Sequence, residues 1–106
     1  MLKAARLAVE FREGISKRAF LDDPKTLSAV LHQLLVLGEA GKRLSQEFRA
    51  QHKEIPWKKI VGMRDKLIHE YDGVDLNEVW KTVSSDVPRL LKLLELLAPS
   101  KEGNEP

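Results

Sequence analysis

Arg64, Asp65, His69 and Tyr71 lie close together in the stretch RDKLIHEY, residues 64–71. A guanidinium keeps its proton at any working pH and presents a planar fork that fits two phosphate oxygens at once. Imidazole titrates nearest neutrality of the common side chains, which suits it to general acid or base work. A carboxylate close by can orient that imidazole. Other chemistries lack their parts. The sequence has no cysteine, hence no thiolate nucleophile, disulfide or cysteine zinc site. It contains no H-E-x-x-H, paired E-x-x-H, P-loop or G-x-S-x-G motif.

Placed on one helix, these residues do not share a face. With Arg64 as zero and ~100° per residue, Trp57, Ile60, Val61, Leu67, Ile68 and Tyr71 all fall within roughly 60° of it. Arg64 thus occupies the middle of an apolar stripe, where an unpaired guanidinium would be costly to bury. Two readings follow. Either a carboxylate such as Glu39 is buried against it, or the stripe lines a cleft or subunit seam. His69 lies ~140° round and ~7.5 Å along the helix, away from Arg64. Asp65, four residues before His69, is placed to accept its ring N–H. By themselves, His69 reads as a C-terminal cap and Tyr71 as a half-buried core aromatic. Lys58, Lys59 and Lys66 put positive charge on the outer face, either as plain solvation or as a dock for a phosphate backbone. On the preceding helix, His32, Glu39 and Arg43 share a flank, with Glu39 and Arg43 spaced as a surface ion pair.

The elements that position these residues are helical throughout, because apolar residues recur at helical spacing and no period-2 run survives. A first helix spans about 2–13 and ends near Gly14. Ser16 caps a short turn with Phe20 and Leu21. Asp23 as N-cap and Pro24 at the first position start a second helix, expected to run to about Gln51. It is apolar nearly all round, as a central or partner-covered helix would be. Pro56 starts a third helix reaching about Tyr71. Asp75 and Glu78 form a capping-box pattern before a last helix, which Pro88 is expected to kink or divide. The expected fold is all-α: an antiparallel up-and-down bundle of four main helices, five if Pro88 breaks the last. Residues 1–98 form the bundle, and 99–106 read as a disordered tail.

Composition agrees. The 106 residues are 42% hydrophobic and 32% charged, the balance of a globular domain able to fold without staples. A net charge of +2 and a pI near 9.0 permit a nucleic-acid partner without arguing for one. No apolar run approaches the ~20 residues a membrane span needs, and a cytoplasmic setting is expected.

Arg64, four residues, His69, one residue, then Tyr71 makes an R-x4-H-x-Y pattern, which resembles the signature of HepT-like HEPN toxins. LGEAGKRLS (37–45), IPWKKIVGMRDKLIHEY (55–71), GVDLNEVW (73–80) and AFLDDPKT (19–26) resemble segments of that family in the same order. The similarity covers about residues 4–97. It implies a homodimeric HEPN-like bundle whose two motifs meet at a cleft, and metal-independent RNA cleavage with no cofactor. It also implies a minimal nucleotidyltransferase antitoxin that transfers AMP to the motif tyrosine, here Tyr71, and a transfer-RNA substrate. On this resemblance Arg64 and His69 are the catalytic pair, Asp65 supports His69, and Lys66, Lys58 and Lys59 guide RNA. An arginine on an apolar stripe, with a histidine that cannot reach it in cis, also fits a site completed across a two-fold axis. The alternative is a non-catalytic partner or nucleotide-holding module for a nucleotidyltransferase, with Arg64 binding phosphate and His69 incidental.

Overall fold

Local capping residues set where most of the helices begin. A computed structural model describes residues 1–97, and every regular element in them is helical. Ala98 and the expected 99–106 tail lie outside the described residues. Helix α1 (Leu2–Arg12) buries Ala4, Ala5 and Ala8, small residues that let a neighbouring helix come close. Gly14 follows it at φ 74°, a conformation that favours glycine. The Ser16 hydroxyl accepts from the Ala19 N–H at 3.1 Å and starts α2 (Lys17–Leu21), which buries Phe20 against Trp80. Asp23 caps α3 (Pro24–Lys42), accepting from the Thr26 N–H and hydroxyl at 3.2 and 2.7 Å. The Thr26 hydroxyl bond, then the Thr26 N–H bond, hold the Asp23 carboxyl below the usual aspartate range.

The second helix is shorter than its periodicity suggests. It stops at Lys42, and Ser45 starts a separate α4 (Gln46–Gln51) by accepting from the Phe48 N–H at 3.0 Å. Arg49 Nη2 donates to the carbonyls of Lys42 and Leu44 at 3.3 and 3.2 Å, satisfying acceptors that the helix end leaves open. Helix α5 (Trp57–His69) begins after Pro56, with the Trp57 indole N–H donating to the His52 carbonyl at 2.9 Å.

After the turn at Tyr71–Gly73, α6 (Leu76–Lys81) passes into a π-helical turn (Thr82–Asp86) and α7 (Val87–Leu97). Asp75 caps α6 through the Asn77 N–H at 2.9 Å, so the expected box with Glu78 does not form. Pro88 neither breaks nor divides this helix. The widened turn, in which the Val87 N–H reaches back to the Thr82 carbonyl, absorbs the bond and the space that a proline denies an α-helix.

The core lies between α1, α3, α5 and the last helix, with Phe20, Leu37, Val30, Val79, Val83 and Leu90 fully buried. Helices α3 and α5 run antiparallel. Gly38 faces Arg64 and Gly41 faces Val61, while Leu31 and Leu35 sit beside Leu67 further along. The four-helix, all-α expectation holds, with the long second helix divided into α3 and α4 and the last one kept continuous.

Candidate active site

Arg64 sits where α5 presses hardest on α3. A Cβ built on Gly38 would fall on the Arg64 Cβ and within 3.2 Å of its Cα, so only glycine allows this approach. A Cβ on Gly41, one turn on, would stand 3.3 Å from the Val61 side chain. The two glycines bring the α3 backbone close enough for Glu39 to reach across the seam.

Glu39 and Asp65 hold the guanidinium between them. The Nε and Nη2 of Arg64 donate to one oxygen of Glu39, Oε2, at 2.8 and 2.6 Å. Its Nη1 donates to Asp65 Oδ1 at 2.8 Å. The Asp65 bond, followed by that from Glu39, pushes the Arg64 pKa up and keeps the cation charged. In return the bond from Arg64 holds the Asp65 carboxyl below the usual aspartate range. Lys42 Nζ lies 4.0 Å from the same Asp65 oxygen. The cluster is not sealed inside. The Arg64 side chain is 19% exposed, Glu39 42% and Asp65 50%.

The carboxylate reading of Arg64 is therefore met in part. The guanidinium does pair with Glu39, yet it does so at the surface. The buried side of α5 carries Trp57, Ile60, Met63 and Leu67, centred about midway between Arg64 and Met63. Arg64 marks the edge of the core, and beyond it the apolar stripe continues outward to Ile68, 45% exposed. On α3, Val36 is 37% exposed. Near the α3–α5 seam, Ser28, Leu31, His32, Leu35 and Leu67 line an open cleft of about 220 Å³.

Other assignments change. Asp65 is engaged by Arg64, and no hydrogen bond joins it to His69 among the described residues. Its carboxyl is turned to the stronger donor on the adjacent residue. His69 is exposed at the last position of α5. Glu39 pairs with Arg64 rather than making the surface pair with Arg43 that its spacing suggested. Lys58 and Lys66 are exposed, but Lys59 bends inward. Its Nζ lies 2.8 Å from Asp86 Oδ2, a carboxylate only 6% exposed, and 4.0 Å from Glu78. A nearly buried carboxylate draws the nearest cation, so Lys59 anchors α5 to the π turn. The Tyr71 backbone opens a 3-10 turn just after α5, and its side chain lies outside the described part of the molecule.

Sequence reasoning offered Glu39 as one possible partner of Arg64 but gave it no part in the site. The signal available was G-E, a glycine at the helix contact followed by an acid, in register with an arginine on the facing stripe. Among the described residues no group of three His, Asp or Glu side chains is placed to hold a metal ion. No helix among them is long and apolar enough to cross a membrane.

Over residues 1–97 the chain matches the ribonuclease HepT-like family. It is 45% identical over 95 residues to a Thermococcus cleftensis protein provisionally named ribonuclease HepT, covering 90% of this chain and 86% of the relative. It is 42% identical over 102 residues to a provisionally named RNase of Caldanaerobacter subterraneus subsp. tengcongensis, covering 95% and 91%. A provisionally named RNase of Methanocaldococcus jannaschii is 35% identical over 97 residues, covering 92% and 89%. No solved structure matches significantly.

Proposed function

The chain belongs to the ribonuclease HepT-like family, and from that premise we propose that it is the metal-independent endoribonuclease toxin of a toxin–antitoxin pair. The observation that supports this most is the pose of Arg64. Three of its five N–H groups are engaged by Glu39 and Asp65, which leaves one on each terminal nitrogen for a ligand. A fixed guanidinium with two open donors suits the non-bridging oxygens of a phosphate.

The site is composite. His69 and Arg64 diverge on one helix, so a second copy supplies the complement, and the exposed Ile68 between them is where that copy packs. One His69 takes the proton from the RNA 2′-hydroxyl as its oxygen bonds to the adjacent phosphorus. The bond to the 5′ oxygen breaks, and the other His69 returns a proton to the leaving oxygen. The products are a 2′,3′-cyclic phosphate and a 5′-hydroxyl. Arg64 stabilises the extra negative charge of the pentavalent transition state. Lys66 and Lys58 guide the backbone, with transfer RNA as the substrate. A minimal nucleotidyltransferase is the antitoxin, and AMP on Tyr71 silences cleavage through bulk and negative charge.

A second reading draws on the two carboxylates around Arg64, which leave the cluster short of net positive charge. In it the chain is a docking or nucleotide-holding partner of the nucleotidyltransferase. Purified protein on labelled RNA and on a DNA copy, compared with His69→Ala and Arg64→Ala, separates the two. RNA cut by wild type alone, with DNA spared, supports the nuclease. Equal inactivity of all three supports the docking role, and a cut DNA copy contradicts the 2′-hydroxyl chemistry.

A further inference from the structure

Glu39 makes two of the three hydrogen bonds that hold Arg64, both through Oε2. The pairing satisfies donors of a guanidinium only 19% exposed, while Glu39 itself is 42% exposed. It also works against phosphate binding. One guanidinium between two carboxylates leaves the trio negative, and Lys42 Nζ stands 4.0 Å from the Asp65 carboxylate. An acid that repels the ligand at the site itself has a role there beyond neutralising the guanidinium. Its geometry supplies one: Glu39 takes the Nε side of the guanidinium, and the glycine before it fixes the distance between the two backbones.

We propose that Glu39 is a positioning residue that holds the Arg64 guanidinium side-on, aiming its terminal nitrogens at the RNA phosphate while weakening RNA binding. This rests on the ribonuclease reading for its effect on turnover, but not for its effect on Arg64 itself. Without Glu39 the guanidinium is held only by Asp65 at one terminal nitrogen and turns about its long stem.

The test uses the full chain with Glu39→Ala and Glu39→Gln. In Glu39→Ala, kcat falls on the order of 10²-fold from misplacement of the guanidinium. KM falls about threefold, because a charge near the phosphate is gone. Glu39→Gln keeps an acceptor oxygen, so it restores most of kcat while retaining the lower KM. A loss of folding would move neither constant in this pattern, and the melting temperature of each variant monitors it. In an Arg64→Lys background, Glu39→Ala causes no further loss of kcat. The Arg64 Nε–H NMR resonance gives a readout independent of cleavage. It is resolved and slow to exchange in wild type and Glu39→Gln, and broadened in Glu39→Ala. An unchanged resonance in Glu39→Ala, or an equal loss of kcat in both backgrounds, overturns the proposal. An inert wild type with the resonance behaving as stated would refute the nuclease and leave the positioning of Arg64 standing.

Discussion

A guanidinium held by two partly exposed acids behaves differently from one buried in a core. Arg64→Ala and His69→Ala should each abolish RNA cleavage while leaving the fold intact, since neither side chain is a core residue. Circular dichroism melts alongside activity would check this. The Asp65 arm of the clamp is also insensitive to mild acid. The folded Asp65 carboxyl is held below its ordinary value by Arg64, so its contribution is present above the unfolded pKa. That contribution is lost only as pH falls through the lowered one. Between about pH 5 and 8 the Arg64–Asp65 bond stays formed, and a transition in cleavage rate there reports an imidazole. A pH–rate profile of Asp65→Asn should keep that transition; its disappearance would give Asp65 a direct part in proton transfer. At Tyr71, incubation with the nucleotidyltransferase and ATP should add AMP mass to wild type and none to Tyr71→Phe, read by intact-protein mass spectrometry.

At the scale of elements, two contacts carry more than their residues suggest. Gly38→Ala puts a methyl on the Arg64 Cβ, and both atoms belong to rigid helix stems that cannot step aside. Overpacking of this kind costs about 1–3 kcal/mol, and the parted helices also pull Glu39 from Arg64. Chemical denaturation should show the lower midpoint together with loss of cleavage. Lys59→Ala leaves the nearly buried Asp86 with only Arg89, 3.4 Å away. The penalty is on the order of 2 kcal/mol, below that of a fully buried pair because Lys59 is itself a third exposed. RNA affinity should change less than stability, which would separate Lys59 from Lys58 and Lys66. Helix starts with a local cause, such as Ser16 and Asp23–Pro24, were legible in the sequence. Ser45 was not, because Leu44 and Phe48 around it continue the apolar periodicity across the break. The Glu39–Arg64 pair was legible only as one option, since a helix sequence offers Glu39 the nearer Arg43 and does not reveal which helix faces it. The π turn escaped because nothing local distinguishes a proline that bends a helix from one that a widened turn absorbs.

Taken whole, the molecule carries a motif, proposed as its active site, whose two key side chains point apart. The all-α fold and the R-x4-H-x-Y segment could be read from periodicity and spacing, but the place where the proposed second copy packs could not. That place depends on how far the apolar stripe of α5 overshoots the core, which only the α3–α5 seam decides. Ile68, exposed just beyond Arg64, is the sensitive point. Wild type should sediment as the proposed dimer in analytical ultracentrifugation, and Ile68→Glu should convert it to a folded monomer and remove RNA cleavage with it. A variant that stays dimeric and active would place the second copy elsewhere. The most direct test of the account is the chemistry of the cut ends. Wild-type protein acting on a defined transfer RNA in excess chelator should leave a 2′,3′-cyclic phosphate and a 5′-hydroxyl, with no cut by His69→Ala. Fragments bearing a 5′-phosphate, or equal cutting by His69→Ala, would contradict it.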